Sequence, residues 1–219
     1  MNTHLEQSRF NMIEQQIRPW DVLDPAVLEL LDKVPRENFV PPRYLGLAFA
    51  DLEIPVGHGQ TMLAPKLQAR IVQSLDLKKS DRVLEIGTGT GFMTALMAHL
   101  AKHVLSVEIV PELTAEARRN LAAPGMDNIS LETGDGARGW LNAAPFDVIA
   151  LTGSVPVLPD ELRQQLAGGG RLFAVIGEAP VMEAVLIRRV SEQVFRTDIL
   201  FETCVPELVG APQPERFRF

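Results

Sequence analysis

From Arg82 onward, short uninterrupted apolar runs alternate with segments of helical periodicity, and few folds accept that order. The strand-like runs are Val83 to Ile86, Val104 to Ile109, Ile129 to Glu132, Phe146 to Leu151 and Arg171 to Ile176. Met93 to Ala101, Pro111 to Ala122 and Asp160 to Leu166 read as helices between them. Strands that are apolar on successive residues are covered on both faces, and connections through helices make neighbouring strands parallel. The spacing therefore predicts a doubly wound α/β fold around a mostly parallel sheet. Between Val185 and Val205, turn residues separate strand-like runs, Arg196 to Val205 among them, without a crossover helix, which predicts antiparallel C-terminal strands.

Before Arg82 the pattern is different. Asp24 to Leu31 has a capping residue, a proline at the first helical position and apolar residues at helical spacing, so it predicts a helix. Pro35, Pro41, Pro42, Pro55 and Pro65 then interrupt the chain too often for a core strand. With Gly57 and Gly59, the segment IPVGHGQTMLAP reads as ordered loop laid over another element, where sites are often built. The 219 residues suit one domain with three parts: an N-terminal helical and loop extension (1–79), a core (80–177) and C-terminal strands with a tail (178–219). Arg216 and Arg218, interleaved with Phe217 and Phe219, read as a solvated tail.

Charge and cysteine content narrow the function classes. Lys and Arg number 21 against 28 Asp and Glu, a net charge of −7, and no basic run appears, so a nucleic-acid backbone is not the expected partner. Cys204 is the single cysteine, which excludes an intramolecular disulfide and a CxxC metal site. It lies among apolar residues and is expected to pack as a small hydrophobe. The first twenty residues hold Glu6 and Glu14 and no apolar run of signal-peptide length, and no stretch approaches membrane-spanning length. A cytoplasmic protein with no membrane partner is expected, and its oligomeric state is left open.

The sharpest local signal is Val83-Leu84-Glu85-Ile86-Gly87-Thr88-Gly89-Thr90-Gly91, a strand that runs into alternating glycines and opens a helix. Such a turn lets a ligand approach the backbone without meeting a side chain. The third glycine falls one position too early for the dinucleotide fingerprint, and no lysine follows for a P-loop. Glu108 ends the next strand, 19 residues after Gly89, where a carboxylate can accept from both hydroxyls of a ribose. Gly134-Asp135-Gly136 follows the third strand, where Asp135 can accept from an adenine amine. Together these residues describe an adenosine pocket.

The run EIGTGTGF, the acidic SVEI, the GDG turn and APFDVIALTGSVPVLPDELRQQLAGGGRL resemble class I S-adenosylmethionine-dependent methyltransferases. MIEQQIR, VPRENFVP, IPVGHGQTMLAP and GDGARGW narrow the resemblance, over about Met12 to Ile176, to the protein-L-isoaspartate O-methyltransferase family. The resemblance implies a Rossmann-like methyltransferase sheet and S-adenosyl-L-methionine as cofactor, with no metal. On it, Gly87, Thr88, Gly89 and Gly91 cradle the methionine portion, Glu108 with Ile109 meets the ribose, Gly134 and Asp135 meet the adenine, and Glu85 shapes the turn. It also implies methylation of isoaspartyl carboxylates in damaged proteins, the ester then closing to a succinimide that can reopen as aspartate.

One position departs from the family. Its substrate loop is similar to GQTIS followed by Ala or Gln and Pro, whereas here Gln60, Thr61, Met62 and Leu63 precede Ala64-Pro65, so Leu63 stands where the family has a serine implicated in catalysis. A carboxylate is already anionic at neutral pH and needs no base to attack a sulfonium methyl, so positioning and desolvation can supply most of the rate. Thr61 shares an extended face with Leu63 and is the candidate replacement hydroxyl. Three readings stay open: an isoaspartyl methyltransferase, a methyltransferase with a changed acceptor, and a cofactor-binding protein without catalysis. His58 reads as a loop residue. His99 and His103 lack a third ligand for a metal, and Trp20 and Trp140 read as core or loop anchors.

Overall fold

A computed structural model describes residues 2–122 and 126–214, so the terminal Arg216, Phe217, Arg218 and Phe219 lie outside the described residues. The chain opens with α1 (Asn2–Met12), continues through a π-helical turn at Ile13–Ile17, and reaches α2 (Pro25–Lys33). The Asp24 carboxylate accepts from the Ala26 N–H at 2.8 Å and Pro25 sits at the first helical position, which is why α2 starts there. The proline-rich stretch that follows forms 3-10 turns at Arg36–Phe39 and Pro42–Leu47, then a small hairpin, β1 (Ile54–Gly57) with β2 (Gln60–Met62). Pro55 is tolerated because this hairpin is a separate two-stranded sheet. Helix α3 (Pro65–Leu75), not singled out in the sequence, buries Leu67, Ile71, Val72 and Leu75 and stops at Asp76, whose φ of 45° is left-handed.

The core then alternates as the apolar runs require: β3 (Arg82–Ile86), α4 (Phe92–Leu100), β4 (His103–Glu108), α5 (Pro111–Asn120), β5 (Ile129–Thr133), β6 (Phe146–Val155), α6 (Asp160–Gln164) and β7 (Leu166–Glu178). Two further strands, β8 (Val181–Arg189) and β9 (Phe195–Glu202), complete a seven-stranded sheet in the order β5-β4-β3-β6-β7-β8-β9. The first five of these are parallel neighbours, and β8 is antiparallel to both β7 and β9, as the lack of a crossover helix predicts. Helix α6 starts at Asp160 as expected but ends earlier: it stops at Gln164, and Leu166 already opens β7.

Successive strand residues face opposite sides, and both sides are dry. Val83, Val104 and Val148 join a core with α3, α4, α5 and the N-terminal extension. Leu84, Leu105 and Ile149 join a second core with Leu158 and Leu162, at and just before α6, on the other face. Helices α4 and α5 follow strands that step one way from β3, whereas α6 follows β6 in the opposite direction, so the chain changes face between β3 and β6. Open α/β sheets form their crevice beyond the strand C-termini at such a point.

Cys204 is a correction to the expected packing, because it is exposed while Val205 beside it is buried. Neighbouring side chains take opposite surroundings here, so apolar neighbours in sequence do not surround the thiol in space. Among the described residues, no helix is long and apolar enough to cross a membrane.

Arg171 of β7 ties the first core segment to the sheet. It donates to Asp81 Oδ2 at 2.7 Å and to the carbonyls of Leu75 and Asp76, and the Asp81 side chain is only 7% exposed. Arg171→Ala leaves that carboxylate buried without its partner, so a loss of about 3–5 kcal/mol in urea unfolding is expected. Arg188→Ala, which breaks the half-exposed pair with Asp198, is expected to cost about 1 kcal/mol or less.

Candidate functional site

Beyond the C-terminal ends of β3, β4 and β6 lies a cleft of about 650 Å³, partly open to solvent. Its floor is the glycine turn. Gly87 has a φ of 96°, and a Cβ there would sit 2.3 Å from Thr152 Oγ1, so only glycine fits between β3 and β6. The Thr152 hydroxyl donates to the Gly87 carbonyl at 2.7 Å, which fixes the turn against β6.

Glu108 forms one wall. Its Oε2 accepts from the Gly89 N–H at 2.8 Å and its Oε1 from the Val110 N–H at 3.0 Å, and both groups belong to the chain that frames the cleft. Each carboxylate oxygen thus keeps a second lone pair beyond its backbone bond. Ile109 and Gly134 also line the cleft. Asp135 lies between lining residues Gly134 and Gly136, and its own Oδ1 accepts from the Ala137 N–H at 2.9 Å.

A second, smaller cavity adjoins the first, and the two share Thr61, Leu63, Gly87, Gly89 and Thr152 as lining. Thr88 and Met62 line the second cavity, and Gln60 lines the first. The loop residues predicted from sequence are thereby brought onto the glycine turn. Thr61 and Leu63 face the same space, as their spacing predicts, but the Thr61 hydroxyl donates to Glu53 Oε2 at 3.0 Å and is already engaged. Leu63 is 5% exposed, and its carbonyl accepts from Arg36 Nη2 at 2.9 Å. Gly91 turns the other way, against Leu121 and Ala117 of the α5 region. His58 is exposed in the β1–β2 turn with a φ of 53° and lines neither cavity. Among the described residues, no group of three or more His, Cys, Asp or Glu is gathered in metal-ligating range.

Some lining residues were assigned no role from the sequence. Thr152 and Gly153 come from the end of β6, where adjacency to β3 could have nominated them. The strap Pro206–Val209 lies across the cleft because the Ser154 N–H donates to the Pro206 carbonyl and the Leu208 N–H to the Ser154 carbonyl, both at 2.9 Å. Leu208 packs over Gly153, where a Cβ would meet it at 2.9 Å.

Glu85 is sealed beneath the turn. Its Oε2 accepts from Thr94 at 2.5 Å and Ser106 at 2.6 Å, Ser106 in turn meets Thr88 at 2.5 Å, and Oε1 has no partner. Burial pushes its carboxyl up to about 7, against the two hydroxyl bonds that lower it, and the Glu108 charge adds to the rise. A raised folded-state value means stability that is full below the unfolded value of 4.5 and is lost as pH rises through about 7. Glu85→Gln removes that titration, so its stability relative to wild type should shift in its favour by about 2–3 kcal/mol between pH 5 and 8. Unfolding curves of both proteins across that range test this, and parallel pH profiles would contradict it.

The family model for protein-L-isoaspartate(D-aspartate) O-methyltransferase (PCMT) matches residues 7–207. A protein-L-isoaspartate O-methyltransferase 1 of Anaeromyxobacter sp. is 44% identical over 174 residues, which span 79% of this chain and 82% of the relative. One from Rhodopseudomonas palustris is 38% identical over 99% of this chain and 91% of its own. Among solved structures, a protein-L-isoaspartate O-methyltransferase superposes with a TM-score of 0.78 at 27% identity, over 93% of this chain and 65% of that one. A Plasmodium falciparum beta-aspartate methyltransferase (PCMT) in complex with S-adenosyl-L-homocysteine has the same fold, with a TM-score of 0.76 at 21% identity over 93% of this chain and 97% of that one. The match over most of the length, with the glycine turn, Glu108 and the loop 60–63 converging on one cleft, shows that the chain belongs to the protein-L-isoaspartate(D-aspartate) O-methyltransferase family.

Proposed function

We propose that the protein transfers a methyl group from S-adenosyl-L-methionine to the free carboxylate of isoaspartyl residues in proteins and peptides, the first step of their repair. The observation that supports this most is that loop residues 60–63 and the glycine turn share one pair of connected cavities, so a donor and an acceptor site adjoin. The residues fit the cofactor. Gly87 leaves no room for a side chain, Gly89 exposes backbone to the cleft, and Glu108 keeps lone pairs for a ribose diol. Ile109 would pack beside the ribose, Gly134 and Asp135 would border the adenine, Thr88 would stand at the methionine end, and Glu85 would hold the turn from beneath. When bound, the cofactor supplies a methyl group on a positively charged sulfur.

The acceptor enters from the side of Gln60, Thr61, Met62 and Leu63. Its carboxylate is ionised at neutral pH, so the chain needs only to orient it and strip its water. Leu63 offers no hydrogen bond, and Thr61 serves through its contact with Glu53, which shapes the loop, rather than by taking a proton. The 1–79 extension supplies the acceptor side, 80–177 the cofactor side, and the tail segment 206–209 the closing edge. A chain with one exposed cysteine also suits a reducing cytoplasm.

The test is transfer of labelled methyl to a peptide with one isoaspartyl residue, beside its aspartyl twin. Selective labelling of the isoaspartyl peptide is expected, and a protein that binds cofactor but labels neither peptide would overturn the acceptor assignment. For the cofactor side, Glu108→Ala should raise the S-adenosyl-L-homocysteine Kd about 10- to 150-fold, the worth of about 1.5–3 kcal/mol for hydrogen bonds to a charged group, in calorimetric titration. An unchanged Kd would remove Glu108 from the site.

A further inference from the structure

Among the described residues no Lys, Arg or His lines either cavity, although the proposed acceptor is an anion. The lining does include two carboxylates, Glu108 and Glu207, and Thr61 is bonded to a third, Glu53. The cation in contact with the cavity wall is Arg36, which is 1% exposed. Its Nε donates to the Ala48 carbonyl at 2.8 Å, its Nη2 to the Leu63 carbonyl at 2.9 Å, and its Nη1 to Gln68 Oε1. The guanidinium carbon also lies 5.1 Å from the ring centroid of Phe92, another residue of the second cavity. All these partners are neutral, and among the described residues Arg36 makes no ion pair. Burial pushes it down only to about 9, so it is charged at neutral pH.

Gln68 stands between this charge and the second cavity. It is 3% exposed and lines that cavity together with Leu63 and Thr61. Because Arg36 takes its amide oxygen, the orientation of the amide is fixed, and its nitrogen, with two N–H donors, has no protein acceptor among the described residues. A donor that opens on the cavity without a protein acceptor, backed by a buried charge without a counter-ion, offers a place to an anion.

We infer that Gln68, held and polarised by Arg36, is the anchor for the acceptor carboxylate, and that it supplies the hydrogen bond Leu63 cannot. Gln68 would touch the substrate, and Arg36 is a positioning residue that acts through it. The arrangement also discriminates product from substrate. Methylation removes the negative charge, so the ester no longer offsets the buried guanidinium and is held less tightly than the acid. This inference deepens the proposed isoaspartyl reading, and its test separates the two.

Gln68→Glu retains an acceptor for Arg36, gives it a counter-ion, and takes both N–H donors away from the cavity, so the variant is expected to fold with a melting temperature at or above that of wild type. With S-adenosyl-L-homocysteine saturating, an isoaspartyl peptide should bind Gln68→Glu about tenfold or more weakly than wild type, with the cofactor Kd unmoved. Gln68→Leu should lose the preference of wild type for the peptide acid over its methyl ester. Arg36 has no neutral stand-in for its fork, so it is not the residue to replace first.

A second readout does not depend on the peptide. In wild type the Gln68 side-chain N–H resonances, assigned by their disappearance in Gln68→Leu, should move on titration with acetate and not with acetamide. Movement with acetate while no isoaspartyl peptide is methylated would support the anchor and overturn the isoaspartyl acceptor. Methylation of the peptide with unmoved Gln68 resonances, or with equal peptide affinity in Gln68→Glu, would overturn the anchor and leave the activity standing. Loss of cofactor affinity in Gln68→Glu without loss of peptide affinity would also overturn it, since the amide would then face the other ligand.

Discussion

The guanidinium of Arg36 is where the molecule is joined. Three stretches that share no sheet or helix meet on it: the 3-10 turn at Ala48, the loop at Leu63 and helix α3 at Gln68. A proline-rich segment cannot dock by a ladder of backbone hydrogen bonds, so it needs carbonyls gathered by a side chain with donors in several directions. Arginine meets that need with a planar fork, where lysine offers a point charge. Burying the charge costs several kcal/mol in principle. Its hydrogen bonds and the aromatic face of Phe92 offset part of this, and Phe92 is the first residue of α4, next to the glycine turn. The clamp therefore sets the height of the acceptor loop over the cofactor turn, and the two cavities exist because it holds.

How much of this was legible before the structure follows from how local each cause is. The core strands could be read because a residue run buried on both faces is apolar at every position. The turn could be read because only glycine tolerates what Gly87 meets. The helix α2 was signalled by its own cap. Helix α3 had apolar residues at 67, 71, 72 and 75, a helical period, but Pro65 reads first as punctuation, although a proline at the first helical position breaks nothing. The strap 206–209 had no local cause to read. It crosses the cleft because Ser154, more than fifty residues earlier, offers both a backbone donor and an acceptor where central strand β6 runs on past the end of β3.

The candidate site divides along the same line. Glu108, Gly87, Gly89, Thr61 and Leu63 were placed by motif and spacing, and the fold gathers them. Gly91 shares the motif but faces α5, since each step along a tight turn points a residue in a new direction. Asp135 is where the sheet order puts it, with one oxygen already used on Ala137. Arg36 and Gln68 were invisible, one inside a motif that named no role for it and the other in an unassigned helix, because their significance rests on a hydrogen bond across 32 residues and on burial.

Two carboxylates on neighbouring strands show how environment alone separates roles. Glu85 is the last residue but one of β3 and pairs with Ser106, and Glu108 ends β4 two residues beyond that partner. Glu108 is held by backbone N–H groups at the edge of the cleft, while Glu85 is closed off with one oxygen unpartnered and is pushed toward neutrality. Among the described residues the cofactor cleft is thus walled by Glu108 and Glu207 and by no cation, a sign suited to a ligand that carries a sulfonium. On the acceptor side the sign reverses: the wall is neutral, but the charge of Arg36 stands behind Gln68. The opposition of an acidic edge and a buried cation across a few shared residues gives the two reactants opposite preferences, so each is steered to its own cavity. Transfer then cancels both charges at once, and with them the electrostatic reason for either product to stay.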